Sequence, residues 1–232
     1  MTCTTVMFAN AKGGAGKSTL AFLASIHFAA THDSRVCVID FDRLRTTYNA
    51  IRRFQASGVQ SFFLADEHGE GRDIAPETVE RALEPRRASS DILFIDTPAG
   101  FPATSMVPAI APQAIFVPVS ISDADIMATE IYLPELEAAA ARIVENGGQK
   151  PRIFLVPNQV FGSDQVSHLR SVFRGHQVRI APPLTFSRTL REVFHFEPGD
   201  TNIAQVFLED DGFFRWMTAE IFALRQLQSL RR

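Results

Sequence analysis

A short segment near the start of the chain combines two lysines, three glycines and a Ser-Thr pair. Glycines let a backbone turn its N–H groups inward without a Cβ clash, and N–H groups arranged in this way bind phosphate oxygens. The segment is Lys12-Gly13-Gly14-Ala15-Gly16-Lys17-Ser18-Thr19. Its spacing predicts a phosphate-binding loop in which Lys17 contacts the β- and γ-phosphates of a nucleotide and the Ser18 hydroxyl is a ligand of Mg²⁺.

The sequence on either side of this loop supports the interpretation. An apolar run at residues 4–9 is typical of a buried strand, and a helical pattern starts at Lys17 and continues to about residue 30. A helix that begins directly after the loop adds the partial positive charge of its N-terminus to the phosphate site. The alternative is a glycine-rich turn without a ligand, but such a turn does not account for two lysines and a Ser-Thr pair at this spacing.

Three aspartates lie at the ends of two further apolar runs. Asp40 and Asp42 end the run at residues 36–42, and Asp96 ends the run at residues 92–96. Each aspartate alone could cap the helix that follows it. The carboxyl ends of parallel strands share one edge of an open α/β sheet, however, and ligands bind at that edge. Together with the glycine loop, the three carboxylates predict a magnesium and nucleotide site there.

The rest of the chain alternates short apolar runs with longer helical segments, which indicates βαβ units. We expect strands at residues 4–9, 35–40, 91–96, 114–119 and 152–157, with weaker candidates at 61–65 and 177–180. We expect helices at residues 17–30, 77–83, 123–145, 163–175 (capped by Ser163-Asp164) and 212–230, and a surface loop at 66–76. The predicted fold class is α/β, with a mostly parallel twisted sheet flanked by helices on both faces.

Composition limits the possible classes of protein. The chain has 232 residues, of which 46% are hydrophobic and 21% charged, and this suits one domain with a sizeable core. Cys3 and Cys37 are the only cysteines, and both fall in strand-like runs, which argues against a disulfide framework or a cysteine-ligated zinc site. Neither a signal peptide nor an apolar run of ~18 residues is evident, so we expect a cytoplasmic protein.

The position of Lys12, ahead of the glycines, is not needed in an ordinary Walker A loop. The form Lys-Gly-Gly-x-Gly-Lys-Ser resembles the deviant Walker A loop of the ParA/MinD family of ATPases. The resemblance implies a P-loop NTPase fold, ATP and Mg²⁺ as cofactors, and a homodimer in the ATP-bound state. It also implies that Lys12 reaches across that dimer to the phosphates bound by the partner. Lys12, Lys17 and Asp42 are the catalytic residues that it indicates.

The aspartate segments resemble the switch regions of the same family. Residues 40–42 resemble the Asp-x-Asp of switch I, which implies that Asp42 orients or deprotonates the attacking water and that Asp40 supports the Mg²⁺ shell. Relatives often continue with Pro-Gln, whereas this chain has Arg43-Leu44. Residues 92–100 resemble a Walker B strand followed by switch II, which implies that Asp96 holds Mg²⁺ through water.

Two later segments resemble adenine-binding loops. Asn158 ends an apolar run and can offer a donor and an acceptor to the adenine edge, although it can equally be a turn residue after a strand. Pro183, in the Ala-Pro-Pro turn at 181–183, could flank the adenine or could only end a strand. The resemblance extends over nearly the whole chain in element order. We therefore assign residues 1–232 to a single ParA-like nucleotide-binding domain without an N-terminal helix-turn-helix extension.

The resemblance also implies a function, namely an ATP-driven switch. ATP joins two protomers, the dimer presents a surface, and slow hydrolysis releases that surface. A ParB-like protein or a cargo adaptor would stimulate the weak ATPase activity. ParA-like relatives bind DNA without sequence preference, and MinD-like relatives bind membrane through a C-terminal amphipathic helix. We expect partition or positioning of DNA or another cargo, with association with the nucleoid, and keep the MinD-like membrane-surface ATPase as the alternative.

The C-terminal third of the chain is slightly basic and holds the candidate DNA contacts Arg170, Arg174, Arg188 and Arg191. These arginines could instead complement helix dipoles. The last helix has an apolar stripe that could lie on lipid or face the core. Its members are Phe213, Met217, Ile221 or Phe222, Leu224 and Leu227. We expect the stripe to face the core, which leaves DNA as the preferred surface.

Two other classes of function use the same fold. An ATP-dependent enzyme acting on a small molecule would need its own acid, base or carboxylate clamp, and the sequence shows no such group. An iron–sulfur reductase would need cysteines on exposed loops, whereas Cys3 and Cys37 fall beside or within strands. Binding to DNA and to anionic liposomes, each with ATP and with ADP, would separate the partition ATPase from the membrane ATPase. Phosphorylation of a small molecule would favour the enzyme.

Overall fold

The computed structural model describes residues 3–55, 58–64, 74–100, 102–197, 200 and 202–230. Within these residues the strands are β1 Thr4–Phe8, β2 Val36–Asp40, β3 Val59–Phe63, β4 Ile92–Asp96, β5 Ala114–Ser120, β6 Arg152–Asn158 and β7 Arg179–Ile180. They form a seven-stranded sheet in the order β3-β2-β4-β1-β5-β6-β7, and every pair of neighbours is parallel. The predicted α/β fold class is confirmed.

A helix connects each strand to the next, and three more helices follow β7 within the described residues. The helices are α1 Lys17–His32, α2 Thr46–Phe54, α3 Pro76–Ser89, α4 Pro102–Ile110, α5 Asp123–Glu145, α6 Ser163–Val172, α7 Arg188–Arg191, α8 Asn202–Glu209 and α9 Asp211–Ser229. Two short 3₁₀ segments cover Phe173–Gly175 and Val193–His195.

Two layers of helices bury both faces of the sheet. Side chains of α1, α2, α7, α8 and α9 pack against the face that carries Val6, Phe8 and Val38. Side chains of α3, α4, α5 and α6 pack against the opposite face, which carries Met7 and Ile39. Every residue of β1, β2 and β4 is buried. Parallel strands that are covered on both faces have mostly apolar sequences without an alternation of apolar and polar residues, and this explains the apolar runs in the sequence.

The last helix, α9, buries one stripe against the sheet. The buried residues are Phe213, Phe214, Met217, Ile221 and Leu224. Leu227 and Leu230 are 40% and 81% exposed. The core-facing interpretation of the stripe is therefore confirmed as far as Leu224, and Leu227 lies outside the core. Among the described residues, no helix combines the length and apolarity needed to cross a membrane.

Several elements differ from the sequence-based expectation. Helices α2, α4, α7 and α8 were not expected, and α3 is longer than residues 77–83. It continues through Pro85 because Arg87 is anchored by tertiary contacts, donating to the Thr5 hydroxyl at 3.1 Å and to the Ile110 carbonyl. Most of the loop expected at residues 66–76 lies outside the described residues.

The cap expected for α6 is also different. Neither Ser163 nor Asp164 caps the helix, because the N-cap position is Gly162. The Gln165 carboxamide oxygen instead accepts from the backbone N–H groups of Phe161 and Gly162 at 2.8 and 3.3 Å. The first turn of α6 is thus closed by its own third residue.

The strand order decides which residues meet at the carboxyl edge of the sheet. β1 lies between β4 and β5, so the loop after β1 is adjacent to the segments that follow those two strands. β2 pairs with β4 in a register that places Asp40 opposite Asp96. The glycine loop and the strand-end carboxylates therefore converge, as the sequence predicted.

Candidate nucleotide site

The glycine loop joins the end of β1 to α1. Gly14 and Gly16 have φ values of 79° and 105°, which are in the left-handed region that glycine adopts without strain. A Cβ on Gly16 would also collide with the side-chain amide of Asn158. No side chain caps α1, and its first turn contains no acidic residue. The N-terminal N–H groups of α1 are therefore available to an anion, which is the arrangement expected of a phosphate site.

Asn10 stabilises this loop, a role that was not predicted from the sequence. Its buried side-chain amide donates to the Pro118 carbonyl at 2.5 Å, and its Oδ1 accepts from the Lys12 N–H at 3.2 Å. The Gly100 N–H donates to the Asn10 carbonyl at 3.3 Å. One residue thus links the glycine loop to β5 and to the segment after β4. The available signal was a polar residue ending an otherwise apolar buried run.

The two loop lysines have different environments. Lys17 is 6% exposed, and its ammonium donates to the Lys12 carbonyl at 3.2 Å. Burial lowers the pKa of Lys17, and the nearby charges of Asp96 and Asp42 act in the opposite direction. The Lys12 side chain is 40% exposed, and its ammonium lies 2.6 Å from Asp125 Oδ1. Only one other lysine, Lys150, occurs in the chain.

Asp40 is fully buried and held by two backbone donors. Its Oδ1 accepts from the Asp42 N–H at 2.9 Å, and its Oδ2 accepts from the Tyr48 N–H at 3.0 Å. Burial raises the pKa of the Asp40 carboxyl, while these hydrogen bonds oppose the increase. Both oxygens of Asp40 are thus engaged by the chain. It is placed to orient its neighbours and to add negative charge beside Asp96.

Asp96 has one carboxylate oxygen without a partner. Its Oδ2 accepts from the Thr47 hydroxyl at 2.6 Å, whereas its buried Oδ1 makes no hydrogen bond within the described residues. Burial, and then the charge of Asp40, raises the pKa of Asp96 to about 7, against the effects of Thr47, Ser18 and Lys17. The buried carboxylate oxygen and the nearby Ser18 hydroxyl are oxygen ligands of the kind that a hard cation prefers, and Lys17 beside them suits the phosphate that such a cation accompanies.

Thr47 is a second site residue that the sequence analysis missed. It is fully buried at the start of α2, and its Oγ1 lies 2.6 Å from Asp96 Oδ2 and 3.2 Å from the Ser18 carbonyl. It therefore connects α2 to β4 and to the first turn of α1. Helix α2 itself was not predicted, so no pattern pointed to this threonine.

Asp42 lies at the entrance of a tight turn. Its Oδ1 accepts from the Leu44 N–H at 2.9 Å, and its carbonyl accepts from the Arg45 N–H at 2.8 Å. Arg45 has a left-handed φ of 55°, and its guanidinium lies 4.0 Å from the centre of the Phe63 ring. Arg43 and Leu44 form the exposed part of this turn, and Leu44 is 71% exposed. The Asp42 side chain is half-buried and close enough to Lys17 to affect its charge.

A cleft of about 180 Å³ extends from the glycine loop towards the segments after β6 and β7. Its lining residues are Gly14, Gly16, Thr19, Leu20, Asn158, Gln159, Leu184, Thr185, Ser187, Leu190 and Arg191. Asn158 is therefore at the cleft, as predicted, whereas Pro183 does not line it. The Asn158 side-chain amide donates to the Ala15 carbonyl at 2.8 Å, and its Oδ1 accepts from the Gln159 N–H at 2.9 Å.

The four candidate DNA-contacting arginines do not form one surface. Arg170 lies on α6 and Arg174 in the following 3₁₀ segment, which pack on one face of the sheet through Leu169 and Phe173. Arg188 and Arg191 lie on α7, which packs on the opposite face. All four side chains are exposed, and Arg188 pairs with Glu192 at 2.8 Å.

Both cysteines lie in or beside strands, as the sequence predicted. Cys37 is buried in β2, Cys3 is half-buried, and both are free thiols. Burial raises the pKa of Cys3 to about 11 and that of Cys37 to about 12. Within the described residues, no three or more His, Cys, Asp and Glu side chains lie close enough to hold a metal ion by themselves.

The sequence matches a family model described as ATPase MipZ over residues 4–131. No curated protein matches it. Among solved structures, apo McdA from Cyanothece superposes with a TM-score of 0.69 at 14% identity, covering 92% of this chain and 97% of the other. MinD from Pyrococcus horikoshii, complexed with Mg-ADP, has a TM-score of 0.61 at 15% identity over 89% and 93% of the two chains.

A plasmid partition protein from Borrelia burgdorferi, bound to AMPPNP, has a TM-score of 0.59 at 14% identity. The match covers 90% of this chain and 99% of that protein. At such identities the structural matches establish the fold, and the family model covers more than half of the chain.

Proposed function

Because this chain belongs to the ATPase MipZ family, we propose that it binds ATP with Mg²⁺ at the glycine loop and hydrolyses it slowly, as the timing step of a dimerising switch. The observation that carries the proposal is the convergence of Lys17, the uncapped N-terminus of α1 and the unpartnered Oδ1 of Asp96 at one edge of the sheet. The lysine and the helix N–H groups can bind the phosphates of a nucleotide, and the carboxylate can bind the metal ion that these phosphates carry.

The residues of the site have separate proposed roles in binding and hydrolysing ATP. Residues 13–19 hold the triphosphate through backbone N–H groups, with Lys17 at the β- and γ-phosphates. The Ser18 hydroxyl and Asp96, through water, would hold Mg²⁺, with Asp40 shaping the outer shell. When bound, Mg²⁺ neutralises the charge that develops on the transferred phosphoryl group. Asp42, half-buried beside Lys17, orients or deprotonates the attacking water.

Lys12 supplies the link to dimerisation. Its side chain is 40% exposed, whereas Lys17 is buried. In the proposed dimer it leaves Asp125 and contacts the phosphates bound by the partner, so that ATP joins the two protomers. A ParB-like or cargo-adaptor protein would then accelerate hydrolysis by ordering the switch segments or adding a cation.

The proposed role is to position or partition DNA or another cargo, with nonspecific duplex DNA as the surface bound in the ATP state. The similar structures include a septum site-determining protein and a plasmid partition protein, which supports a positioning role. Within the described residues, Arg170 and Arg174 form no ion pair, whereas Arg188 is paired with Glu192. We therefore place the first phosphate contacts at Arg170 and Arg174. The alternative is a membrane surface, and within residues 211–230 only the exposed Leu227 and Leu230 support it.

Binding assays separate these surfaces. The chain is mixed with duplex DNA or with anionic liposomes, each with ATP and with ADP, across a range of salt concentrations. DNA binding that requires ATP, ignores sequence and weakens steeply with salt supports the proposal. Binding to liposomes alone in the ATP state would replace it with the membrane-surface ATPase. Phosphorylation of a small molecule with neither surface bound would indicate an enzyme.

Two double variants then locate the surface. Replacing Arg170 and Arg174 by alanine should lower the slope of log affinity against log salt by about 1.8, as expected for two lost phosphate contacts. The matched control replaces Arg188 and Arg191, which lie on the other face of the sheet, and should leave the slope unchanged. An effect confined to the second pair would move the DNA surface to α7.

A further inference from the structure

The carboxamide of Asn158 is engaged by the phosphate loop rather than left open to the cleft. Its Nδ2 donates to the Ala15 carbonyl at 2.8 Å, and its Oδ1 accepts from the Gln159 N–H at 2.9 Å. Asn158 is 9% exposed, and its amide lies against Gly16 so closely that a Cβ there would collide with it. These contacts hold the middle of the loop, residues 15–16, in place.

Gln159, the next residue, has the opposite arrangement. Its side chain lines the cleft and is half-buried. Within the described residues its carboxamide makes no hydrogen bond, although its backbone N–H is fixed by Asn158. Its φ of 59° lies in the left-handed region, which costs a residue with a Cβ about 1 kcal/mol and persists where the surroundings determine it. The backbone is thus held in a strained form that leaves a free amide at the cleft.

The part of the cleft lined by Leu184 and Leu190 has the character of a base site. Leu184 and Leu190 are 1% and 9% exposed and supply apolar walls. A purine has flat apolar faces and a hydrogen-bonding edge, so it needs walls of this kind and at least one side chain that can donate and accept. A glutamine amide meets the second requirement.

We infer that Gln159 is the residue whose carboxamide contacts the edge of the base, and that Asn158 is a positioning residue for the phosphate loop. This inference rests on the proposed binding of ATP in the cleft. The amide oxygen accepts from the exocyclic amino group of adenine, and the amide nitrogen donates to the adjacent ring nitrogen. Since no neighbouring group fixes the Gln159 amide, it can also turn over to match guanine. The wild-type site should therefore distinguish ATP from GTP only modestly.

The experiment compares ATP with inorganic tripolyphosphate, which has the phosphates but no base. Dissociation constants for both are measured with Mg²⁺ on the wild-type chain and two variants. Gln159→Leu should weaken ATP binding by roughly 5- to 10-fold, as expected for a lost hydrogen bond, and leave tripolyphosphate binding unchanged. Asn158→Ala should weaken both ligands by similar factors, because it loosens the loop that holds phosphate.

A charge variant tests the direction of the contact. Gln159→Glu keeps the acceptor and loses the donor, and the tripolyphosphate measurement corrects for its added negative charge. After this correction GTP binding should weaken more than ATP binding. A carboxylate can accept a hydrogen bond from the amino group of adenine, whereas it repels the carbonyl oxygen of guanine.

The outcomes distinguish the two proposals. A wild-type chain that binds tripolyphosphate and ATP equally has no base contact, and this overturns the inference alone. A chain that binds neither ligand overturns the proposed function as well. If Gln159→Leu does not fold, Gln159→Asn, which tolerates a left-handed φ and shortens the amide by one methylene, should still reduce ATP binding relative to tripolyphosphate. An unchanged ratio in that variant would also overturn the inference.

Discussion

The ammonium group of Lys12 and the carboxylate of Asp125 lie 2.6 Å apart within one chain. Asp125 is in the first turn of α5, where Ser122 also donates to its Oδ2 at 2.5 Å. In the proposed dimer, Lys12 turns from this carboxylate to the phosphates bound by the partner. The proposed dimer therefore requires that the ion pair open, and Asp125 competes with ATP for the lysine.

Asp125→Asn should favour dimerisation. Removing the charge frees Lys12, and because the pair is partly exposed the gain should be roughly 2- to 5-fold in dimer affinity at saturating ATP. Sedimentation or light scattering with ATP and with ADP measures it. Asp123→Asn is the matched control, since Asp123 is on the same turn and makes no ion pair within the described residues. Equal behaviour of the two variants would show that the ion pair does not restrain Lys12.

Asp42→Ala should separate binding from hydrolysis. The carboxylate that orients water is removed while the phosphate loop is unchanged, so turnover should fall by roughly 10²-fold and the ATP-bound dimer should accumulate. Lys12→Ala should instead abolish nucleotide-dependent dimerisation. Phosphate release and sizing in ATP check both variants. Normal hydrolysis by Asp42→Ala would remove Asp42 from the role of water-positioning residue.

Thr47→Val tests a contact that no sequence pattern revealed. The valine keeps the shape but removes the hydroxyl that donates to Asp96 at 2.6 Å, so Mg²⁺-dependent ATP affinity should fall roughly tenfold. Thr47→Ser retains the hydroxyl and should behave like the wild-type chain. If titration calorimetry shows the same affinity for both variants, the Thr47–Asp96 contact does not support the metal site.

His27 should make stability depend on pH between 6.5 and 4. Burial lowers the pKa of His27 from 6.5 to about 4, with a further effect of His32 in the same direction and of Asp211 in the other. The unfolded chain therefore binds more protons in this interval, and the free energy of unfolding decreases as pH falls through it. Urea unfolding at pH 7 and 4.5 should show a loss of about 2 kcal/mol from this residue.

His27→Gln should remove that contribution while keeping a polar group near Thr218, whose hydroxyl lies 3.1 Å from His27 Nε2. His168→Gln, at an exposed position on α6, is the control and should retain the wild-type pH dependence. If the His27→Gln variant loses as much stability as the wild-type chain between pH 7 and 4.5, another group is responsible for the pH dependence.

Local sequence signals were sufficient for the five inner strands and for the phosphate loop, whereas the edge strands β3 and β7 differ in their bounds from the weaker candidates at 61–65 and 177–180. The buried strands are continuous apolar runs, and residues 12–19 carry their chemistry in adjacent positions, so neither required knowledge of distant contacts. The aspartates at 40 and 96 converge because parallel strands end at a common edge. Helix α4 lacked a usable pattern, because it contains two prolines in nine residues.

The missed residues depend on tertiary contacts. Asn10 donates a hydrogen bond to the Pro118 carbonyl, and Thr47 donates one to Asp96. Both partners are distant in the sequence, so these roles exist only in the folded chain. The choice between Asn158 and Gln159 likewise follows from which amide the glycine loop engages. The four arginines are close in the sequence. They do not form one surface, because α6 and α7 pack on opposite faces of the sheet.

Calorimetric titration of the chain with ATP, in Mg²⁺ and in EDTA, tests the central claim most directly. The account predicts one ATP per chain, with affinity at least about tenfold higher in Mg²⁺, and loss of binding in Lys17→Ala. Absence of Mg²⁺-dependent affinity for ATP in the wild-type chain would contradict it, because the loop at residues 12–19 and the open oxygen of Asp96 would then have no ligand to hold.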